Sequence, residues 1–313
     1  MAMIGRPTEC TLCGNRKIHF EDSFWICERC EYQFALKDDN FSESYYQKDI
    51  GLLAQNILEE KGESTKLRKY AYIALEKIGK MNKGLKVCDI GCGTGLFLKR
   101  VKQLKNDVYG YDINKYQSEY ANKKNGLINV TYAQSLSEYC KKRKIQKNFF
   151  DVITCFEVIE HIYDVNTFLE EIRKYLKPGG VLLLSTPNNE RIQMKEKWDY
   201  PPVHVSRFKR RNMEKLLEKY KLQLQIFQTF NELGYYSGNF LAKMKFSQKA
   251  LEHMVSTSGS IKVGIAKPNV LLFRLLAKTK KTICTIIDIP IYLILLPQKN
   301  RGHTMFLVAR KIK

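Results

Sequence analysis

A chain of 313 residues, 44% hydrophobic and 12% aromatic, can bury a substantial core, which excludes a wholly disordered or low-complexity polymer. Its length suits one large domain with a small appendage. The 53 Lys and Arg against 32 Asp and Glu give a formal charge of +21, which favours anionic partners such as nucleic acid, an anionic membrane face or phosphorylated substrates, unless the scattered lysines serve only as solvated surface.

Met1 to Pro7 contain no apolar run of signal-peptide length. Cys10-x2-Cys13 and Cys27-x2-Cys30 follow, two knuckles separated by 13 residues. Each C-x-x-C pair can wrap two thiolates around one tetrahedral Zn²⁺, and the two pairs complete a four-thiolate site. Between them, His19-Phe20 and Phe24-Trp25-Ile26 read as short strands, so residues 1–40 are expected to form a zinc ribbon. So small a module has too little core to fold without metal. Arg16 and Lys17 are balanced by Glu9, Glu21, Asp22, Glu28 and Glu31, which favours a structural or substrate-presenting role over a nucleic-acid surface. Metal-like cysteine spacing without a leader points to a reducing cytoplasm.

Residues 41–81 read as a helical linker. Asn56-Ile57-Leu58 and the run Leu67, Tyr70, Ala71, Ile73, Ala74, Leu75, Ile78 place apolar residues at helical spacing, and the second run suits a helix packed on a following sheet. Gly79 and Asn82 to Gly84 mark the turn into residues 82–313, the main α/β domain.

Val87-Cys88-Asp89-Ile90 is an apolar strand that runs into Gly91-Cys92-Gly93-Thr94-Gly95, with a helix opening at Leu96. Glycines there let a ligand lie against the backbone, where a Cβ would block it. Val108-Tyr109-Gly110-Tyr111 is the next strand and ends in Asp112, about where a nucleotide-binding unit keeps a carboxylate for ribose hydroxyls. Ile128 to Tyr132 reads as the third strand, Asp151 to Phe156 as the fourth and Val181 to Ser185 as the fifth. Ligands bind beyond the carboxyl ends of such strands, so Phe156 and Glu157 are expected to face the site.

Were a helix to begin at Glu157, the spacing Glu157-x-x-Glu160-His161 would bring all three side chains together. His204 lies in Pro201-Pro202-Val203-His204-Val205-Ser206-Arg207-Phe208, after the fifth strand. Two carboxylates and two imidazoles could hold a divalent metal with positions open for a substrate oxygen. The same residues could instead work without metal, with His161 or His204 as general base, or they could be structural.

The G-x-G-x-G loop after an acid, the segment Phe149 to His161, the turn Leu176-Lys177-Pro178-Gly179-Gly180 and the strand Val181 to Ser185 resemble the class I S-adenosylmethionine-dependent methyltransferases. Phe156-Glu157-Val158-Ile159-Glu160-His161 is similar to the branch that holds the ubiquinone-pathway O-methyltransferases and relatives acting on glycans and natural products. The resemblance covers roughly residues 82–235 and implies a Rossmann-like seven-stranded sheet closed by an antiparallel hairpin. It implies that Asp89, Gly91, Cys92, Gly93 and Gly95 seat the methionine part of the cofactor and Asp112 the ribose. Gln134 stands where many relatives hold an acid against adenine, and Phe156 borders the same pocket. It also implies Mg²⁺ or Mn²⁺ at Glu157, Glu160, His161 and His204, as in small-RNA 2′-O-methyltransferases, and a helical lid in which Tyr45 and Tyr46 could touch the cofactor. Nucleobase enzymes of the N/D-P-P-Y/F and Pro-Cys types are disfavoured by Phe156-Glu157.

Met213, Leu216, Leu217 and Tyr220 form a helix face, Leu222 to Phe227 the sixth strand and Thr304 to Ala309 the last. Residues 233–300 are then a helical, apolar insertion before the last strand. Its run Ile283 to Leu296 is broken by Asp288 and Pro290 and is too short to span a bilayer. Beside Lys278, Lys280 and Lys281 it suits either an interfacial hairpin on an anionic membrane or a cap packed on protein. The expected activity is O-methylation of a sugar, a glycan or lipid-linked precursor, or a related small molecule, in the cytoplasm or peripherally at the inner membrane face. An RNA 2′-O-methyltransferase and a non-catalytic zinc-ribbon interaction module are the competing expectations.

Overall fold

The computed structural model describes residues 6–37, 67–191, 199–230 and 302–312. Tyr45, Tyr46, the Asn56-Ile57-Leu58 stretch and the 233–300 insertion lie outside the described residues. The chain divides into two units, the first comprising residues 1–190, 194–228 and 304–313, and the second 191–193 and 229–303. Within the described part of the second, the Gly302 N–H donates to Thr229 Oγ1 at 3.1 Å.

The first unit opens with three short strands, β1 (Ile18–Glu21), β2 (Phe24–Cys27) and β3 (Gln33–Phe34). Then follow α1 (Lys69–Gly79), β4 (Lys86–Ile90), α2 (Leu96–Gln103), β5 (Asp107–Asp112), α3 (Lys115–Lys123), β6 (Val130–Tyr132), α4 (Leu136–Lys142) and β7 (Phe150–Phe156). A 3₁₀ turn at Ile159–His161 leads to α5 (Val165–Tyr175), β8 (Leu176–Pro187), β9 (Ser206–Arg207), α6 (Arg210–Lys219), β10 (Leu222–Phe230) and β11 (Thr304–Lys311).

Seven strands form the main sheet in the order β10-β11-β8-β7-β4-β5-β6. β4 pairs in parallel with both β5 and β7, and β11 runs antiparallel to β8. This is the Rossmann-like α/β sheet with its closing hairpin. β6 starts only at Val130, because Ile128 and Asn129 belong to the preceding turn. β8 is longer than expected and absorbs Leu176 to Gly180, with Gly179 at φ +77°.

Period-two alternation splits the strand residues between the two faces. Cys88 and Ile90 of β4, Ile153 and Cys155 of β7 and Leu182 and Leu184 of β8 join a core with α4, α5 and α6. Asp89 and Thr154 alternate with them and are paired across the β4–β7 register. The ribbon residues Cys10, Leu12, Ile18, Tyr32 and Phe34 belong to the same hydrophobic core as α4 to α6. The four-stranded ribbon sheet, β1-β2-β3-β9, is completed by a strand that follows β8.

The glycine turn positions the site. Gly91 and Cys92 donate their N–H groups to the Tyr111 carbonyl at 2.9 and 3.1 Å, binding the loop to the end of β5. Gly95, at φ +80°, opens α2, and a Cβ there would meet Leu127 Cδ1 at 2.3 Å and the Ala121 Cβ at 3.1 Å. Its demand for glycine thus arises from backbone conformation and helix packing rather than from ligand clearance. Gly95→Ala is expected to destabilise the protein by roughly 2–4 kcal/mol through left-handed backbone strain and overpacking, read as a lower urea midpoint.

Candidate functional site

A cleft of about 430 Å³ opens at the carboxyl ends of the parallel strands, the place where open α/β sheets bind ligands. Gly91 from the glycine turn, Asp112 and Ile113 from the end of β5, and Gln134 and Ser135 after β6 line one side. Glu157, Val158, His161 and Ile162 after β7, with Phe168 and Glu171 of α5, line the other. Of these walls, Ile113, Ile162, Phe168 and Glu171 carried no motif of their own.

Asp112 is held from two directions. Its Oδ2 accepts from the Gly93 N–H at 2.8 Å, and its Oδ1 from the Asn114 N–H at 2.7 Å. Burial pushes its carboxyl above the usual range, against the pull of those two donors. Asn114 also caps α3 by accepting from the Gln117 N–H at 3.1 Å, so carboxylate, loop and helix start share one network. Asp89 is buried beneath the turn and accepts from Thr154 Oγ1 at 2.6 Å. Burial raises it to about 7, with Thr154 lowering it and the Asp112 charge adding to the rise. Burial also holds the Cys92 thiol far above its ordinary range, so that side chain is an inert neighbour of the loop. The Gln134 N–H donates to Glu138 Oε2 at 2.6 Å, which fixes its backbone at the cleft edge. Phe156 packs between Tyr70 of α1 and Phe97 of α2, with ring centroids 5.3 and 5.2 Å away, and so stands behind the cleft wall.

Glu160, His161 and His204 offer one ligand atom each within 4.8 Å of one another, whereas Glu157 is not part of that group. The helical convergence expected from the E-x-x-E-H spacing does not form. Glu157 sits at φ +54° ahead of the 3₁₀ turn, so its side chain leaves the chain in another direction and accepts from Ser185 Oγ at 2.7 Å. Glu160 Oε2 accepts from Thr186 Oγ1 at 3.0 Å, and its Oε1 is buried with no hydrogen-bond partner. Burial, reinforced for Glu157 by the neighbouring Glu160, pushes both carboxyls up to about 8.

The two imidazoles meet edge to face at 4.9 Å. His161 Nδ1 lies 2.7 Å from the Val203 carbonyl, which fixes Nδ1 as the donor and the lone pair on Nε2. Asp199 Oδ1 stands 3.6 Å from His204 Nδ1. Burial lowers both histidine pKa values, only partly offset by the Val203 carbonyl and by Asp199, so both rings are neutral near pH 7. Neutral imidazole can accept a proton or ligate a metal. Asp199, Ser185 and Thr186 orient this cluster, yet as single polar residues at a strand end or in a loop they gave no recognisable spacing.

The four ribbon cysteines also converge within 4.8 Å. Sγ atoms of Cys10 and Cys30, and of Cys13 and Cys27, are 3.6 Å apart. A tetrahedral zinc with Zn–S bonds of about 2.3 Å sets sulfurs about 3.8 Å apart, so the donor set fits Zn²⁺. Hydrogen bonds from the Cys30 N–H and Asn15 outweigh burial and bring the Cys27 thiol down to about 7, whereas burial raises Cys13 and a hydrogen bond with Cys10 raises Cys30, so the fit to zinc rests on the sulfur geometry. The purified protein is expected to carry one zinc per chain, released by a thiol-modifying reagent and lost in Cys27→Ser, as measured by elemental analysis.

Comparison with known proteins agrees with this architecture. The family described as a methyltransferase domain matches residues 59–225. A ubiquinone biosynthesis O-methyltransferase of Pelagibacter ubique is 37% identical over 108 residues, covering 34% of this chain and 43% of that protein. Its namesake in Haemophilus ducreyi is 36% identical over 110 residues, covering 34% and 46%. The matches thus span less than half the length of these curated relatives. Phosphoethanolamine N-methyltransferase 2 of Haemonchus contortus, solved with S-adenosyl-L-methionine, superposes with a TM-score of 0.54 at 18% identity, over 90% of this chain and 62% of that one. That likeness is one of fold. With the strand order, the glycine turn and the paired acids at the strand ends, the family match establishes that this chain belongs to the methyltransferase domain family, in its class I, S-adenosylmethionine-dependent form.

Proposed function

We propose that this chain methylates a hydroxyl group of a small molecule, with a sugar or a glycan or lipid-linked precursor as the acceptor class. The observation that carries this reading is the convergence of Glu160, His161 and His204 beside the cleft. An alcohol, unlike a neutral amine, must lose its proton or have its pKa lowered before it can attack. A pair of neutral imidazoles beside a buried carboxyl serves that need. The relatives named for ubiquinone biosynthesis O-methylation support an oxygen acceptor, and the apolar run Ile283 to Leu296 suits a lipid-linked one.

Bound S-adenosylmethionine supplies a methyl group already activated by its sulfonium. Asp89 and the backbone of Gly91, Cys92, Gly93 and Gly95 receive its methionine part, Asp112 its ribose hydroxyls and Gln134 the adenine edge. Phe156 acts from behind, as packing. The enzyme's main task is then alignment of the acceptor for in-line displacement. In this reading His204, with Asp199 Oδ1 3.6 Å from its Nδ1, takes the hydroxyl proton at Nε2. His161 has its tautomer fixed by the Val203 carbonyl. Glu160 Oε1, buried and unpartnered, together with the two imidazoles also fits a divalent cation such as Mg²⁺ or Mn²⁺. Such a cation would lower the pKa of the acceptor hydroxyl. Glu157 would stay outside that ligand set and hold the end of β8 through Ser185.

Protonation of Asp89 opposes binding of a cationic methionine amino group, so affinity should rise with pH through about 7. The dissociation constant measured by calorimetry should fall roughly tenfold between pH 6 and 7.5, and Asp89→Asn should bind weakly with that pH dependence lost. Incubation with methyl-labelled cofactor and fractionated cell extract should label a small-molecule or lipid-glycan fraction. His204→Ala should keep cofactor affinity within a few-fold and lose about 10²–10⁴ in turnover. Label confined to RNA would overturn the acceptor class, and absence of label the activity itself.

A further inference from the structure

Residues 203–206 are stitched on both sides. Toward the acceptor cluster, the Val205 N–H donates to the Glu160 carbonyl at 2.8 Å and the Val203 carbonyl meets His161 Nδ1 at 2.7 Å. Ser206 Oγ donates to the Ile162 carbonyl at 3.3 Å. Toward the ribbon, the Ala35 N–H donates to the Val205 carbonyl at 2.8 Å, and β9 pairs with β3 through Gln33–Arg207 and Phe34–Ser206. His204 sits inside this double seam.

The ribbon side of the seam is built directly on the second cysteine knuckle. The Cys27 N–H donates to the Tyr32 carbonyl at 3.1 Å, and the Glu31 N–H to the Cys27 carbonyl at 2.7 Å. The Tyr32 ring is fully buried, 5.5 Å from Phe34 and 5.3 Å from Phe208. Its hydroxyl lies 2.7 Å from Ser206 Oγ. Because Ser206 donates to Ile162, Tyr32 is the donor in that pair. Asn212 Nδ2 reaches the Cys30 carbonyl at 2.7 Å, while its Oδ1 accepts from the Lys209 N–H at 2.7 Å. At the cofactor end the glycine turn is tied instead to Tyr111 and Asp112 of β5.

We propose that the four-thiolate metal site positions the acceptor-side histidines, with Tyr32 and Ser206 as the positioning residues that transmit its geometry to His204. This inference rests on the reading of His204 as an acceptor-side group. Metal on Cys27 and Cys30 fixes the knuckle, the knuckle fixes Tyr32 and β3, and these hold β9 against the 3₁₀ turn. Loss of metal frees His204 from His161 while the methyl-donor seat keeps its shape. The ribbon is thereby a working part of the acceptor site rather than an appendage.

The test is hydrogen–deuterium exchange of the full-length protein before and after zinc extraction, with cofactor affinity measured in parallel. Peptides covering 200–209 should exchange at least tenfold faster without zinc. Peptides covering 86–98 and 107–114 should be unchanged, and the dissociation constant for S-adenosylmethionine should stay within twofold. Tyr32→Phe, which removes one hydroxyl and no metal ligand, should retain zinc and cofactor affinity, speed exchange in 200–209, and lower kcat about tenfold at unchanged cofactor KM. Unchanged exchange at 200–209 on zinc removal would overturn the proposal, as would an equal rise at 86–98, which marks general unfolding. The exchange measurement needs no turnover, so failure to find methyl transfer would count against the proposed function and leave this coupling to be judged by exchange.

Discussion

Four carboxyls, three buried and Glu157 half-buried at the cleft, gather at the carboxyl ends of the strands, and much of the site follows from how each is compensated. Asp89 receives a hydrogen bond from Thr154, Asp112 from the Gly93 and Asn114 N–H groups, Glu157 from Ser185 and Glu160 from Thr186. Three of these donors are side chains from a neighbouring strand, so sheet register decides whether the carboxyls can be buried at all. Compensation is incomplete, since all four titrate above their ordinary range and burial is the first cause in each. Buried acids with too few donors favour cations. That bias suits a methyl donor with a positive sulfonium and ammonium.

The outer surface carries the opposite sign. A net +21 coexists with this acidic cleft because many lysines lie on solvated helix faces, where Lys80–Glu76, Lys123–Glu119 and Lys142–Glu138 form i,i+4 pairs. Exposed pairs of this kind are worth only about 0.3–0.5 kcal/mol each. Among the described residues no helix is long and apolar enough to cross a membrane.

How much was legible in the sequence depended on whether a feature had a period or a fixed spacing. The glycine turn, the acid at the end of β5 and the paired C-x-x-C knuckles all did, and each lies where the pattern put it, whereas the closing strand came from the family resemblance. Convergence of Glu157 with Glu160 assumed a helical period across a stretch that is instead a left-handed residue followed by a 3₁₀ turn. Nothing in Phe156-Glu157-Val158 announces that backbone, because glutamate seldom adopts it. β9 was equally hidden, since two residues cannot display alternation and its partner lies about 170 residues earlier in the chain. Thr154, Ser185 and Thr186 are ordinary strand residues until register sets them against carboxyls.

The two ends of the cleft are therefore anchored to different parts of the chain. The methyl-donor seat is held by β4, β5 and α3, all inside the matched family region of 59–225. The acceptor cluster lies within that region too, but β9, which runs beside it, is hydrogen-bonded to a ribbon that lies outside it. On the proposed reading, the ribbon seam is thereby where acceptor-side geometry is held, apart from the hydrogen bonds that hold the glycine turn.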